Sequence, residues 1–330
     1  MKLKKRTLNI SYQEIGTLAA LILFSTFVAI RNDNFLTFSN MNDILKNASI
    51  LMIASLGMMM VIITRGIDLS VGAIIGLTGM TVTRIMTVAT WIPPFLAVIM
   101  GLALGFVLGM VNGLLISRGK VPPIIATMGM MNVYRGLCYI VSGGQWVSAY
   151  EMTEGFKNIA LGTVLGVNNL IVFAIVVFII GTIFLKQTTF GRQIYAVGSN
   201  PVSAQISGIN VTKVHTLTYA INGMLYGLCG ILWVSRYASA QGNSGMGYEM
   251  NAIASCVLGG VSMAGGAGRP FGLLLGVLFF GVLYNSLSMI YVSAYAEQAI
   301  KGVVIILAVV LNVLLQRNRK RQSQRKGEQQ

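Results

Sequence analysis

The chain has 330 residues, of which 55% are hydrophobic and only 10% charged, and its mean hydropathy is +0.74. This composition excludes an ordinary soluble protein and predicts a chain whose solvent is a lipid bilayer. The net charge of +15 does not indicate nucleic-acid binding, because the basic residues are scattered between long apolar runs.

Ten stretches are apolar enough to cross a membrane, for which a helix needs about 20 residues. The predicted spans are 15–30, 48–64, 69–89, 93–116, 123–141, 168–185, 214–235, 250–266, 271–291 and 298–315. The first and eighth are short, so either could be tilted differently or partly re-entrant. The first follows a basic stretch as in a signal peptide, but no convincing cleavage site follows, and we predict an uncleaved helix. The expected fold class is an all-α integral membrane protein with about ten transmembrane helices.

The basic residues predict the orientation of these spans. With the N-terminus in the cytoplasm, 17 of the 24 Lys and Arg residues fall on the cytoplasmic side, 6 fall on the other side, and Arg135 lies within a span. The positive-inside rule therefore places both termini in the cytoplasm. The predicted parts are a basic N-terminus (1–14), one transmembrane domain (15–315) and a basic tail (316–330). An external loop (142–168) caps the outer mouth, and a longer cytoplasmic loop covers 187–214.

Small residues within the spans predict packing rather than chemistry. Glycines four residues apart are typical of helices in close contact, and they occur as Gly101, Gly105, Gly109 and Gly113, as Gly223 and Gly227, and as Gly272 and Gly276. Three cysteines lie in apolar segments, namely Cys138, Cys229 and Cys256. We interpret them as small core residues, neither a disulfide set nor a metal site.

The loop at 187–214 contains the signals of a short helix. Asn200 can cap it, Pro201 suits its first position, and Gly208 suits a left-handed exit. Val202 and Ile206, at i and i+4, would form an apolar stripe on its surface. The pattern leaves two alternatives open, which are docking on another protein and a helix lying on the lipid headgroups.

Asp68 precedes the third span. We expect it to cap a helix that begins at Leu69, where a negative charge is favourable. The alternative is that Asp68 pairs with Arg65 or Arg269 in one conformation and releases it in another.

Arg135 lies about 13 residues into the fifth span, roughly 20 Å along it. On a helix it shares one face with Met128 and Asn132. It could snorkel outward or form a structural pair, or this face could line a pathway. Polar residues in spans are more often interhelical glue than ligand contacts, and here they include Asn112, Thr127, Asn222, Tyr226 and Asn285. The candidate pathway residues are Thr127, Met128, Asn132, Arg135, Asn222 and Tyr226.

Four segments resemble the permease subunits of ribose-type ABC monosaccharide importers, in the order of that family and over nearly the whole chain. They are Thr64 to Gly72, Lys120 to Gly129, Gly191 to Ile209, and Leu258 to Gly260 with Gly268 to Gly272. The resemblance implies a type II ABC-importer-like permease of the inner membrane. It further implies a second permease copy or paralogue, an ATP-binding subunit, an extracytoplasmic sugar-binding protein and a monosaccharide substrate, with a ribose-like sugar favoured. No cofactor, metal or nucleic acid is implied.

The resemblance also assigns roles to residues. It implies that the loop at 187–214 docks on the ATPase through Gly191, Arg192, Gly198, Asn200, Pro201, Val202, Ala204, Ile206, Gly208 and Ile209. Its other motifs contribute the structural residues Arg65, Asp68, Ser70, Gly259, Gly260 and Arg269.

Motifs of enzymes are missing from the chain. It has no Walker A loop, no His-Glu-x-x-His motif and a single histidine, His215, so we expect ATP to be hydrolysed by a partner. The remaining rival is an ion-coupled secondary transporter or a channel for a small polar solute. Such carriers usually have charged groups at mid-membrane, and no Asp or Glu is clearly mid-span in the predicted topology.

Overall fold

The structure is a computed structural model that describes residues 12–289 and individual positions between 292 and 310. Its helices are α1 (Tyr12–Arg31), α2 (Phe38–Ile63), α3 (Val71–Val88), α4 (Pro94–Ser117), α5 (Pro123–Ser142), α6 (Glu154–Leu161), α7 (Asn169–Gln187), α8 (Thr189–Ser199), α9 (Pro201–Ile206), α10 (Val211–Tyr237), α11 (Tyr248–Leu258) and α12 (Pro270–Met289). A two-stranded antiparallel hairpin, β1 (Thr163–Val164) and β2 (Val167–Asn168), leads into α7. Residues 1–11, the tail at 316–330 and most of the predicted tenth span lie outside the described residues.

Eight of the described helices are long and apolar enough to cross a membrane, which confirms the all-α membrane fold. They correspond to predicted spans one to seven and nine. The main difference is α2, which begins at Phe38 rather than residue 48. Polar residues such as Asp43 and Asn47 lower the hydropathy of its first turns, while Thr37 caps the helix by accepting a hydrogen bond from the amide of Asn40.

The eighth predicted span, at 250–266, is wrong as a continuous helix. Only α11 forms there, and its 11 residues rise about 16 Å, half of what a span requires. The chain before α11 turns through Gly245 and Gly247, whose φ values are +71° and +80°, and the chain after it turns through Gly260 at +84°. This part of the chain is therefore a half-helix between two irregular segments, which is the re-entrant alternative.

Two layers of helices make the bundle. In α2, 89% of the apolar stretch is buried, and α3 and α10 are buried nearly as fully. In α5 and α7 only 22% of the apolar stretch is buried. These helices therefore present apolar side chains to the lipid. The three cysteines are buried and free, which confirms their interpretation as core residues.

One end of the bundle collects the basic residues. Ser117 Oγ at the end of α4 lies 2.7 Å from Thr216 Oγ1 in the first turns of α10. The two helices are therefore antiparallel, and these two ends lie at the same face of the bundle. The helix ends and loops here carry Arg65, Arg118, Lys186, Arg192 and Lys213. We call this end the basic face. The predicted external loop at 142–168 lies at the opposite face, where α6 packs on α10 through a 2.8 Å hydrogen bond from the Ala160 amide to Ser235 Oγ.

The glycine repeat of α4 makes the close helix contact that the sequence predicts, and its partner is α10. A Cβ atom added at Gly105 would lie 2.8 Å from the Cα of Gly227, and one added at Gly113 would lie 2.6 Å from the carbonyl oxygen of Thr216. The two backbones therefore touch along four turns. In α12, Gly272 and Gly276 make equivalent contacts with the backbone of α11 and the residue after it.

A matched pair of glycines tests this packing. Gly105→Ala is expected to lower the melting temperature and the folded yield in detergent, because the added methyl group would overlap the carbonyl of Gly223. Gly16→Ala, at a helical position of α1 where a Cβ meets nothing within 4 Å, is expected to be neutral or stabilising by up to about 1 kcal/mol through helix propensity. Equal melting temperatures for the two variants would contradict the close contact of α4 with α10.

Candidate functional site

The backbone between α10 and α11 turns into the interior of the bundle. A Cβ atom added at Gly72 of α3 would lie 2.8 Å from the carbonyl carbon of Gly245, and one added at Gly76 would lie 3.0 Å from the carbonyl oxygen of Ser244. Both glycines belong to the buried part of α3. The segment 238–247 therefore descends from the opposite face until it touches α3, and α11 begins at that depth.

Arg135 defines the depth of this break in the helix. Its Nη1 atom donates hydrogen bonds to the carbonyl oxygens of Gly242 (2.7 Å) and Ser244 (2.8 Å). Arg135 is 12 residues beyond Pro123, where α5 starts, so it is about 18 Å along a span that crosses about 30 Å. Arg135 thus makes the structural pair that the sequence left open, and it does not snorkel outward. Irregular backbone at this depth persists only where protein covers it or water fills a cavity.

A cavity of about 1010 Å³ opens beside the break. Its polar lining comes from Ser239, Gln241, Asn243, Glu249 and Asn251, and Trp233 and Tyr237 contribute aromatic surface. Ligand pockets typically enclose about 300–1,000 Å³, with a few polar groups that fix orientation. Amide, hydroxyl and carboxylate groups beside aromatic rings suit a small solute rich in hydroxyl groups. We call this space the mid-membrane cavity.

Glu249 corrects one expectation from the sequence. The predicted topology placed this residue outside the membrane, with no acidic group clearly at mid-span. In the structure it lies in the first turn of α11, and its Oε2 atom is 3.1 Å from a Cβ added at Gly72. A carboxylate in the first turn of a helix is favoured by the helix dipole. The break in the span, invisible to hydropathy, brings this charge to mid-membrane.

The predicted pathway residues divide into two groups. Thr127, Asn222 and Tyr226 are completely buried, and the Thr127 hydroxyl accepts a hydrogen bond from the Leu69 amide at 3.1 Å, so these residues act as interhelical contacts. Met128 and Asn132 are exposed on the outer surface of α5, on the helix face that also carries Arg135. The sixth residue, Arg135, does not line the mid-membrane cavity itself, but it holds the lining residue Ser244 through a hydrogen bond.

The expected helix start at Leu69 is wrong, although Asp68 Oδ1 does accept a hydrogen bond from the Ser70 amide at 2.9 Å, as a capping carboxylate would. The helix α3 begins at Val71 with Ser70 at its N-cap position, because the Leu69 amide is held by Thr127 of α5 and residues 67–70 stay outside the helix. The Asp68 carboxylate is completely buried. It accepts hydrogen bonds from the Ser70 hydroxyl at 2.6 Å and from Asn222 Nδ2 at 2.9 Å.

These contacts belong to a buried polar network that joins α4, α5 and α10 to the segment before α3. Asn112 of α4 donates to Ser70 Oγ at 2.8 Å, and its own Oδ1 accepts from the Tyr134 hydroxyl of α5 at 3.1 Å. Asn222 connects the network to α10. These side chains form interhelical hydrogen bonds, as the sequence suggested for Asn112.

The two arginines proposed as partners of Asp68 lie elsewhere in this structure. Arg65 donates to the carbonyl oxygens of Gly198 and Ser199 at 2.7 and 2.6 Å. Arg269 forms an ion pair of 3.5 Å with the buried Glu14 of α1.

The motif glycines end α11, with Gly259 at its C-cap and Gly260 in the left-handed region.

The loop at 187–214 forms two helices rather than one. In α9 the predicted local signals are all present: Asn200 Oδ1 accepts hydrogen bonds from the amides of Val202 and Ser203, Pro201 holds the first position, and Gly208 has a φ of +83°. Val202 and Ile206 are 67% and 83% exposed, whereas Ala204 faces inward. The exposed pair is the predicted apolar stripe, and it lies on the basic face.

The preceding helix, α8, was missed by the sequence interpretation. Gly191 lets α8 pack closely on the end of α7, since a Cβ there would lie 2.7 Å from the Leu185 Cα. Tyr195 donates its hydroxyl to the Gly268 carbonyl at 2.9 Å. Burial raises the pKa of Tyr195 to about 12, so this donor stays protonated at physiological pH. Ile194 and Val197 are completely buried.

An all-α bundle with an irregular, arginine-held break and a polar cavity at mid-membrane defines a membrane permease. The family model of the branched-chain amino acid transport system / permease component matches residues 40–309. The chain therefore belongs to that family, and it is a multi-pass protein of the inner membrane.

Curated relatives match over nearly their whole length. The chain is 40% identical to the ribose import permease protein RbsC of Bacillus subtilis over 91% of this chain and 92% of the relative. It is 39% identical to RbsC of Escherichia coli K12 over 91% and 93%, and 33% identical to the galactose/methyl galactoside import permease protein MglC of Salmonella typhimurium over 94% and 97%. No solved structure matches the chain significantly.

Proposed function

We propose that this chain is the membrane-spanning subunit of an ATP-binding cassette importer that moves a monosaccharide inward, with ribose as the first candidate. The observation that carries the proposal is the mid-membrane cavity, whose amide and hydroxyl groups beside Trp233 suit the hydroxyl groups and the apolar face of a sugar ring. The substrates named for the relatives, ribose and galactose or methyl galactoside, support the same class.

The energy source is a separate ATP-binding subunit in this proposal. The basic face is cytoplasmic by the positive-inside rule, and α9 presents Val202 and Ile206 there. Two exposed apolar side chains on a short helix suit a groove on a soluble partner. The sugar-binding protein docks on the opposite face, at the loop 142–168, and supplies most of the selectivity. Closure of the ATPase displaces α9, and the mid-membrane cavity opens to each side in turn.

A second permease copy packs on the outer face of α5 in the proposed assembly. That face carries Met128 and Asn132, and Gly129 and Gly136 leave it flat because nothing lies within 4 Å of their would-be Cβ atoms. Flat surfaces of small residues are typical of helix contacts in membranes. The path for the sugar then runs through the mid-membrane cavities of the two copies.

Crosslinking tests the pairing. Asn132→Cys is expected to form a disulfide-linked dimer with mild oxidant in native membranes. The reason is that residue 132 lies on the face of α5 that is proposed to contact the same face of the second copy. The native cysteines Cys138, Cys229 and Cys256 are buried, so they are not expected to form crosslinks of their own. The control is Ile180→Cys, which places an equally exposed thiol on α7. Monomer alone from Asn132→Cys, or equal crosslinking from both variants, would contradict the pairing.

Reconstitution tests the function itself. Vesicles that contain the permease, the ATP-binding subunit and the sugar-binding protein are expected to accumulate ribose only with ATP. Glu249 favours ion-coupled transport, because a mid-membrane carboxylate is the usual coupling group of such carriers. Uptake that follows a proton or sodium gradient without the ATPase would overturn the proposal in favour of that rival.

A further inference from the structure

Three segments of the chain meet at the basic face in a contact that the pathway and the docking surface do not explain. They are the end of α2, the junction between α8 and α9, and the loop 262–268 that follows α11. We call this contact the clasp and define it by Ile63, Arg65, Gly198, Ser199 and Gly266. The Gly266 amide donates a 2.8 Å hydrogen bond to the carbonyl of Ile63, and a Cβ added at Gly198 would overlap the same carbonyl.

Arg65 adopts a backbone conformation that favours glycine. Its φ is +65°, and the amides of Arg65 and Gly66 donate to the carbonyls of Ile62 and Val61, both at 2.9 Å. This pattern is the Schellman ending of a helix, whose left-handed position is usually glycine because a Cβ is strained there. A strained side chain persists where the surrounding structure uses it.

The guanidinium group of Arg65 binds the end of α8. It donates through Nε to the Gly198 carbonyl and through Nη2 to the Ser199 carbonyl. These carbonyls are among the last of α8, where the helix dipole is negative, so a cation is favourable there. The next residue, Asn200, is the cap that starts α9. The Arg65 side chain, at the end of α2, therefore holds the junction between α8 and α9.

The clasp connects this junction to the mid-membrane cavity by two routes. The helix α2 contacts α10 and α11, which both contribute residues to the lining of the cavity. The loop 262–268 continues from α11, whose first residues line the cavity. A displacement of α9 that keeps the clasp intact therefore moves both α2 and the end of α11.

We propose that Arg65 is a positioning residue that transmits the movement of α9 to the helices around the mid-membrane cavity. The inference rests on the proposed docking of α9 to an ATP-binding subunit. It assigns Arg65 no contact with the sugar or with ATP. Loss of the side chain uncouples ATP hydrolysis from transport while the permease remains folded.

Arg65→Gly is the decisive variant, because it removes the guanidinium group and relieves the backbone strain together. Its matched control is Lys120→Gly, which removes another exposed basic residue of the basic face with a φ of +55°. The Lys120 side chain makes no hydrogen bond or ion pair within the described part of the chain. Both variants are expected to fold at least as well as the wild type.

Coupling is measured as sugar taken up per ATP hydrolysed in reconstituted vesicles. Arg65→Gly is expected to retain the ATP-binding subunit and its hydrolysis but to lower this ratio about tenfold or more, as for the loss of a charge-assisted hydrogen bond. Arg65→Lys is expected to recover part of the ratio, and Lys120→Gly to match the wild type. A wild-type ratio in Arg65→Gly would overturn the inference. Loss of the ATP-binding subunit would also overturn it, because Arg65 would then maintain the docking surface itself.

Hydrogen exchange in the isolated permease separates this inference from the proposed function. Arg65→Gly is expected to speed amide exchange in 196–206 and 262–268, with Lys120→Gly unchanged. Unchanged exchange in Arg65→Gly would overturn the role of Arg65 even if the wild type transports sugar. Wild-type vesicles that do not couple uptake to ATP would refute the proposed function, and the exchange data would still decide whether Arg65 holds the clasp.

Discussion

Replacing Val202 and Ile206 together by Asp is expected to abolish co-purification of the ATP-binding subunit and ATP-driven uptake. Both side chains are mostly exposed on α9, so the isolated permease should fold normally. Asp at the second helical position is even favoured by the helix dipole. In the complex, two desolvated carboxylates would replace the apolar anchors. Anchors of this kind each contribute about 2–4 kcal/mol, so we expect binding to weaken by about 100-fold or more.

The control is Ser203→Asp combined with Ser207→Asp. These substitutions place the same two charges at the same spacing on a neighbouring stripe of the helix, and they are expected to retain most of the binding. Pull-down of the ATP-binding subunit from detergent extracts distinguishes the two double variants. An intact complex with full transport in the Val202 and Ile206 variant would favour the alternative that α9 lies on the lipid headgroups.

Arg135→Met is expected to lower uptake by about 30-fold or more while the ATP-binding subunit stays bound. The arginine satisfies the carbonyls of Gly242 and Ser244, two buried residues at mid-membrane. Methionine keeps much of the volume but donates no hydrogen bond, and each unsatisfied buried carbonyl costs about 1–3 kcal/mol. The segment 238–247 is then expected to leave its position, and the mid-membrane cavity loses its wall.

Arg84→Met is the matched control for this variant. Arg84 of α3 donates to a single carbonyl, that of Ser142 at 2.8 Å, near the opposite face. We expect it to cost little uptake, because water can replace the lost donor there. The measurement is initial uptake together with amide exchange across 241–247, which should accelerate in Arg135→Met only. Wild-type uptake and exchange in Arg135→Met would show that the two hydrogen bonds do not hold the break.

The sequence predicts well the features that depend on local chemistry. The long spans follow from hydropathy, and α9 follows from the chemistry of three residues, Asn200, Pro201 and Gly208. The close packing of α4 also follows from its glycine spacing, although the sequence does not identify α10 as its partner. In each case the physical cause lies within one turn or one helix face.

The mid-membrane cavity depends on contacts between distant segments, and hydropathy misses it. The apolar stretch at 250–266 is long enough for a span, so the break at Gly245 and Gly247 is hidden. A signal was present in the preceding residues 239–247, where Ser, Gln, Asn and three glycines predict irregular backbone. A short apolar segment next to such a run often marks a discontinuous helix. Asp68 was misplaced for a similar reason, since Thr127 of another helix decides where α3 begins.

Labelling of a single cysteine in the mid-membrane cavity tests the central claim most directly. Asn243 is exposed to this cavity, and the native cysteines are buried. In reconstituted vesicles that carry Asn243→Cys, a membrane-impermeant thiol reagent is expected to abolish ATP-driven ribose uptake. The same label on Asp33→Cys, which is exposed in the turn between α1 and α2, is expected to leave it largely intact. Full uptake after complete labelling of Asn243→Cys would contradict passage of the sugar through this cavity.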